Sequence, residues 1–292
     1  MTTTVTPALP RSPAALAARR FRRNRMAPAG ALFLIAVGVL ALAAPLVAGH
    51  DPNAVDLAAF REPPSAAHLL GTDSSGRDVF ARLVHAGRIS LLVGLLSSLA
   101  AIALGTLLGA LAGMFGGPVD AVVMRAADVV LSFPSLVVIV VLAGVLGPGT
   151  TMLVLVFAAG NWPTACRVVH GLTLSLREQE YVQAARAFGA GRLTVIGRHV
   201  LPAVLSQVAV VGTLLVAQMI LLEAVLSFLG LGVQPPQASW GNMLTDAQSL
   251  TLIQTMPWLW LPPGLAIALT VLAVNFVGDG LRDAVDPKGL RG

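Results

Sequence analysis

Only one cysteine, Cys166, occurs in 292 residues, so neither an intrachain disulfide nor a CxxC metal or redox pair can form. The five histidines (His50, His68, His85, His170 and His199) never fall into an HExxH pattern, which removes the commonest zinc-hydrolase arrangement. The single lysine, Lys288, is followed by Gly289, whereas a phosphate-binding loop needs GxxxxGK before Ser or Thr. A GxSxG serine-hydrolase elbow is absent as well. Charge is the widest deficit: 11% of residues are charged, against about 25% in soluble domains. With 56% hydrophobic residues and a mean hydropathy of +0.81, water cannot be the main solvent of this chain.

What replaces charge is a series of long apolar runs. A bilayer-crossing helix needs about 20 mostly apolar residues, and six segments qualify: 29–48, 89–113, 126–146, 150–170, 203–229 and 258–278. The first is too long for the roughly 7–15-residue core of a signal peptide, so it is expected to stay as an anchor. Six arginines (Arg11, Arg19, Arg20, Arg22, Arg23, Arg25) precede it without one acid. The positive-inside rule puts that flank in the cytoplasm. Fifteen of the 19 basic residues then fall inside, and the loop 230–257 has none. The expected architecture is all-α, integral to the membrane, with six spans and both termini cytoplasmic.

The segments divide as follows: an Arg-rich tail 1–28, an anchor 29–48, an extracytoplasmic loop 49–88, a five-helix core 89–278 and a cytoplasmic tail 279–292. The Arg-rich tail suits anionic lipid, and its membrane setting argues against nucleic acid despite the pI near 10.9. Arg82 and Arg88 fall on the outer side, where Val79, Phe80, Leu83 and Val84 share a helical face, so 77–88 is expected to be an interfacial amphipathic helix.

Ser97, Ala101, Gly105, Gly109 and Gly113 recur every four residues. Such a row lets helix backbones approach closely, either within this chain or against another subunit. Pro134 and Pro163 are expected to bend the third and fourth spans.

Residues 171–202 form the longest internal loop. Ser175-x-x-Glu178 has the form of a capping box, which predicts a helix starting there. Tyr181, Ala184, Ala185 and Phe188 follow at i, i+3, i+4 and i+7 as one apolar stripe. Gly189 is placed to end the helix in a left-handed conformation. A smooth face of paired alanines with aromatic anchors suits a groove in another protein.

Gln183-Ala184-Ala185, then Gly189, then Leu201-Pro202, resembles the EAA loop of ABC-importer permeases. Gln183 stands where the general pattern has Glu, and His199 where an apolar residue precedes Leu-Pro. The run His68 to Asp73, Gly76-Arg77-Asp78 and Arg88 to Leu91 resembles the segment before the second span of dipeptide and oligopeptide permeases. Glu223 to Gly232, Ser239-Trp240-Gly241, Pro257-Trp258 and Pro262-Pro263-Gly264 resemble their fifth span, outer loop and last span. Asn275, Gly278-Asp279 and Leu281-Arg282-Asp283 resemble their tail. The resemblance covers about residues 20–290 and points to the second-permease branch.

That likeness implies a type I importer permease fold in a bacterial inner membrane and an ATPase-coupling role for Glu180, Tyr181, Gln183, Ala184, Ala185, Phe188, Gly189, Leu201 and Pro202. It implies as partners a second permease, two ATP-binding cassette subunits and an extracytoplasmic solute-binding protein. The expected cargo is a di- or oligopeptide, with nickel or glutathione as alternatives. No cofactor is expected on this chain, because ATP and Mg²⁺ would bind the partner subunits.

Three polar residues in the spans are also candidates. Glu223 is about 20 residues into the fifth span, hence about 30 Å from its inner end and near the outer boundary. It is expected either to mark an outer gate with Ser227 or the binding-protein interface, or to snorkel outward or bond the turn before Gly230. Asn161, beside Pro163, could line a pathway or satisfy backbone groups that the proline frees. Asp128 is expected to pair with Arg125. A secondary transporter would carry mid-membrane carboxylates, and an intramembrane enzyme would need a nucleophile–base pair; the spans offer neither.

Overall fold

The structure, a computed structural model, describes residues 19–22 and 24–285. Arg11, Arg23 and Lys288 lie outside the described residues. The described residues form helices and loops, and the one β-type contact is an isolated bridge between Thr72 and Asp78. The main helices are α1 (Met26–Leu42), α2 (Val79–Phe115), α3 (Gly117–Leu131), α4 (Ser135–Leu146), α5 (Thr150–Arg177), α6 (Glu180–Ala187), α7 (Leu201–Phe228) and α8 (Pro257–Val285).

All six apolar segments are helical, but not all as single rods. Four stretches are long and apolar enough to cross a membrane: α2, α5, Arg192–Phe228 (which contains α7) and α8. The expected third span is instead the pair α3 and α4, bent by 87°. Pro134 causes the break: its ring disfavours a helical conformation at Phe133, and its own ψ of 117° leaves the helical region. The expected first span is the 17-residue α1, followed by a four-residue helix at Ala44–Val47.

α2 has 37 residues, about 55 Å at 1.5 Å per residue and far beyond a hydrocarbon core of about 30 Å. It begins ten residues before the expected second span. The expected interfacial helix at 77–88 therefore does not exist as a separate element. Its charges are held by protein: Arg82 is buried, donates to the Pro52 carbonyl at 3.2 Å and lies 3.5 Å from Asp73. Arg88 caps the end of α1 through the carbonyls of Ala41, at 2.6 Å, and Leu42.

The small-residue row is spent inside this chain. A Cβ on Gly105 would stand 2.5 Å from the Trp162 carbonyl oxygen, and one on Gly113 2.7 Å from Thr173 Cβ. Gly109 faces the Cys166 carbonyl. All three partners are on α5, so α2 and α5 pack with their backbones nearly touching. α7 packs on α2 and α8, and α8 packs on α1. Buried Val93, Phe157, Met219 and Leu226 fill the middle of this bundle, while Leu32, Ile35, Leu95, Leu99, Leu214 and Leu272 point outward. A bundle with apolar residues on both its inside and its outside fits a lipid surround.

Candidate functional site

At one end of the bundle, α5 runs on to Arg177 before the chain turns into α6. The expected capping box is therefore not used. Ser175 is in the last turn of α5, and Glu178 is that helix's C-cap, with its carboxylate 3.1 Å from Arg177. Leu172 and Leu176 prolong α5 because both pack on the apolar cluster at this end. α6 starts two residues later, with Gln179 as an N-cap that makes no side-chain bond.

The end of α6 follows the expectation. Gly189 has φ +88°, Ala190 N–H donates to the Ala185 carbonyl at 3.0 Å, and Gly189 N–H donates to Arg186 at 3.0 Å. These two bonds make a Schellman motif. α6 is anchored by one inward residue, Val182, fully buried with Val195, Ile196 and Val200. Sequence periodicity pointed to the other face, and a lone valine beside a stronger stripe gave little signal.

That stripe is uncovered. Phe188 is 92% exposed and Tyr181 49% exposed. Glu180, Gln183 and Ala184 are exposed, and Ala185 is half-buried. Gln183 Nε2 donates to the Glu178 carbonyl at 3.1 Å, bracing the turn into α6. The Tyr181 ring stands 5.9 Å from that of His199, just before Leu201 and Pro202 open α7. Arg177 donates to the Gly113 carbonyl at 3.1 Å and Arg192 to the Phe115 carbonyl at 3.4 Å. Both flanks of α6 thereby grip the final turn of α2, a link with no local mark in the sequence.

The opposite end gathers the loops 49–78 and 229–256. Here Glu223 is fully buried, so it does not snorkel outward. One carboxylate oxygen accepts from Ser90 on α2 at 2.9 Å and the other from Ser227 on α7 at 2.7 Å. Each serine oxygen also accepts from the loop: Ser90 from Trp240 N–H at 3.1 Å, Ser227 from Val233 N–H at 3.1 Å. Trp240 Nε1 donates to the Leu83 carbonyl at 3.1 Å. The carboxylate thus joins α2, α7 and the loop between α7 and α8. It does bond the turn before Gly230, through Ser227.

Two other polar candidates differ from expectation. Asn161 is buried and donates to the Phe157 carbonyl at 2.9 Å, not to the Ala159 carbonyl that Pro163 frees. Asp128 pairs with Arg167 across the bundle at 2.6 Å rather than with Arg125.

Beside the Glu223 network is a small polar cleft lined by Asp73, Ser74, Arg77, Arg82 and Asp246. Burial pushes the Asp246 carboxyl above its usual range; the Ser74 hydroxyl at 3.2 Å opposes that rise, and Asp73 adds to it. A raised carboxyl pKa means the charged form costs folding stability; the cost builds as pH rises from the unfolded-state value to the raised folded-state value and is constant above it. Asp246→Asn is therefore expected to melt slightly higher than the native chain at neutral pH, with the difference shrinking in acid. Thermal denaturation across pH checks the sign.

Residues 105–290 match the family described as binding-protein-dependent transport system inner membrane component. Residues 12–64 match the N-terminal transmembrane domain of oligopeptide transport permease C. The chain belongs to this inner-membrane permease family, as its loop pattern implied. It is 46% identical over 276 residues to a protein of Brucella suis biovar 1 named as a peptide permease, covering 94% of this chain and 91% of that one. It is 41% identical over 271 residues to the glutathione transport system permease protein GsiD of Pectobacterium atrosepticum, covering 92% and 89%. With DdpC of Escherichia coli K12, named for D,D-dipeptide transport, it shares 42% over 258 residues, covering 88% and 86%. The chain is thus a multi-pass membrane transport component.

Proposed function

We propose that this chain forms half of the translocation pathway of a peptide importer, driven by ATP-binding subunits that grip α6. The observation that carries the reading is the aromatic pair Tyr181 and Phe188, left bare on a helix whose other side is pinned by Val182. A 92% exposed phenylalanine at the end of a short helix contributes little to this chain's own fold and suits a pocket on another protein. A second permease subunit would complete the pathway, and an extracytoplasmic binding protein would deliver the solute to the loop end. In this orientation the α6 end faces the cytoplasm with both termini.

Movement of α6 would be passed on by two routes. One is the bonds from Arg177 and Arg192 to the end of α2; the other is the direct continuation into α5 and α7. At the far end the Ser90–Glu223–Ser227 network holds the outer loop to the same two helices, α2 and α7. Such an element can switch only if its partners contact its two states differently; α6 supplies that contact inside, and Glu223 and Ser227 form the outer latch.

Names of the relatives favour peptides, and the glutathione relative supports a second reading in which the cargo is that tripeptide thiol. The test uses the buried Cys166 as a silent background. Phe188→Cys in the assembled importer should cross-link to an ATP-binding subunit, with a yield that changes on adding ATP. Receptor-dependent uptake into proteoliposomes should then favour labelled dipeptides over glutathione. Cross-links only within this chain would refute the docking surface, and a preference for glutathione would select the second reading.

A further inference from the structure

At the loop end, three metal-ligating side chains from separate stretches converge away from the Glu223 network. His50 follows α1, His68 is in the loop, and Asp78 is the N-cap of α2. Asp78 Oδ1 is committed, accepting from Ala81 N–H at 2.6 Å. Its other oxygen, Oδ2, faces both imidazoles: His68 Nδ1 at 2.9 Å and His50 Nδ1 at 3.9 Å. The two rings lie 5.3 Å apart, and all three candidate donor atoms are within 4.8 Å of one another.

We propose that His50, His68 and Asp78 form a divalent transition-metal site of the Zn²⁺ type, which clips the segment after α1 to the start of α2. Two imidazoles and one carboxylate are a common three-ligand set for Zn²⁺ and its neighbours, leaving a fourth position for water. With metal–ligand bonds of about 2.0–2.1 Å, donors of a tetrahedral site are about 3.3 Å apart. The 2.9 Å pair need only open by a few tenths of an ångström, and the 3.9 Å pair close by about half an ångström. His50 can supply that motion, because its side chain is 51% exposed and it follows Gly49 at φ +68°.

The other two ligands are already placed. Asp78 is buried, its side chain only 4% exposed. The backbone of His68 is held in a turn, where its carbonyl accepts from Ser65 N–H at 2.8 Å and Gly71 N–H at 2.9 Å. A hydrogen bond accounts for the His68–Asp78 pair but not for His50, whose Nδ1 at 3.9 Å is too far from the same oxygen for one. An ion placed between the three donor atoms would be a ligand partner for each of them. The proposal does not depend on which solute the permease carries.

The test uses the full chain, purified with a histidine-free tag and placed in lipid nanodiscs, titrated with Co²⁺ as a visible probe. Native protein should take up one Co²⁺ with a d–d absorption band of a low-coordinate site, and Zn²⁺ should displace it. His50→Ala and His68→Ala should each weaken binding about tenfold or more, while His85→Ala, on the neighbouring turns of α2, leaves it unchanged. Asp78→Ser keeps a helix cap and should also lose the band. Zn²⁺ should raise the melting temperature of the native chain and not of His50→Ala. A native titration indistinguishable from that of His50→Ala and His68→Ala would overturn the site, as would the absence of any Co²⁺ band.

Discussion

Phe188→Ala is expected to leave the melting temperature of the isolated chain unchanged while cutting its affinity for the ATP-binding partner by about 30-fold or more. The first half follows from exposure: a side chain 92% open to solvent loses almost no buried contact on truncation. The second follows from the cost of truncating an aromatic anchor at an interface, about 2–4 kcal/mol. Ala184→Trp is its complement, adding bulk to the exposed side of α6 without entering the cluster around Val182. It should also fold and insert normally yet lose co-purification of the partner. Equilibrium binding in detergent, with melting curves of each variant alone, separates docking from folding. If Phe188→Ala binds as the native chain does, the aromatic stripe is not the docking face.

Features written in consecutive residues were legible in the sequence, and features made by distant residues were not. The apolar runs, the glycine row of α2 and the left-handed stop at Gly189 each depend on a local pattern and a local rule. The start of α6 was misplaced because Ser175 and Glu178 satisfy the capping pattern, whereas Leu172 and Leu176 gain more by prolonging α5 onto the cluster at that end. Arg82 is a similar case. Its sequence neighbours suggest an interfacial helix, but its partners are Pro52 and Asp73, brought in by the loop. Asp128 chose Arg167, 39 residues on, over Arg125. Pro134 announced a bend, but nothing in the neighbouring residues gave its 87° size.

The candidate site divides along the same line. The exposed stripe of α6 could be read because Tyr181, Ala184 and Phe188 follow a short local period. The Glu223 network could be located but not drawn, since Ser90 is 133 positions away and Trp240 reaches that serine through its backbone. The position near the loop end of α7 followed from counting along the helix; burial and partners required the fold.

Glu223→Ala should produce the largest loss of stability among single side-chain truncations at the loop end. Both carboxylate oxygens accept from buried hydroxyls, so removal leaves two donors without acceptors, at about 1–3 kcal/mol each. A cavity where the side chain stood adds to that cost. A combined penalty on the order of 4 kcal/mol should appear as a markedly lower melting temperature in detergent and as lost uptake. Glu223→Gln distinguishes hydrogen bonding from charge. Its carbonyl oxygen can accept from one serine while its amide donates to the other, since a hydroxyl oxygen has a second lone pair even when it already accepts from Trp240 or Val233. One serine hydroxyl then lacks an acceptor, so the glutamine variant should lose about 1–3 kcal/mol, clearly less than the alanine variant, and should retain uptake. A glutamine variant as damaged as the alanine one would show that the latch needs a negative charge, and a stable alanine variant would remove the latch altogether.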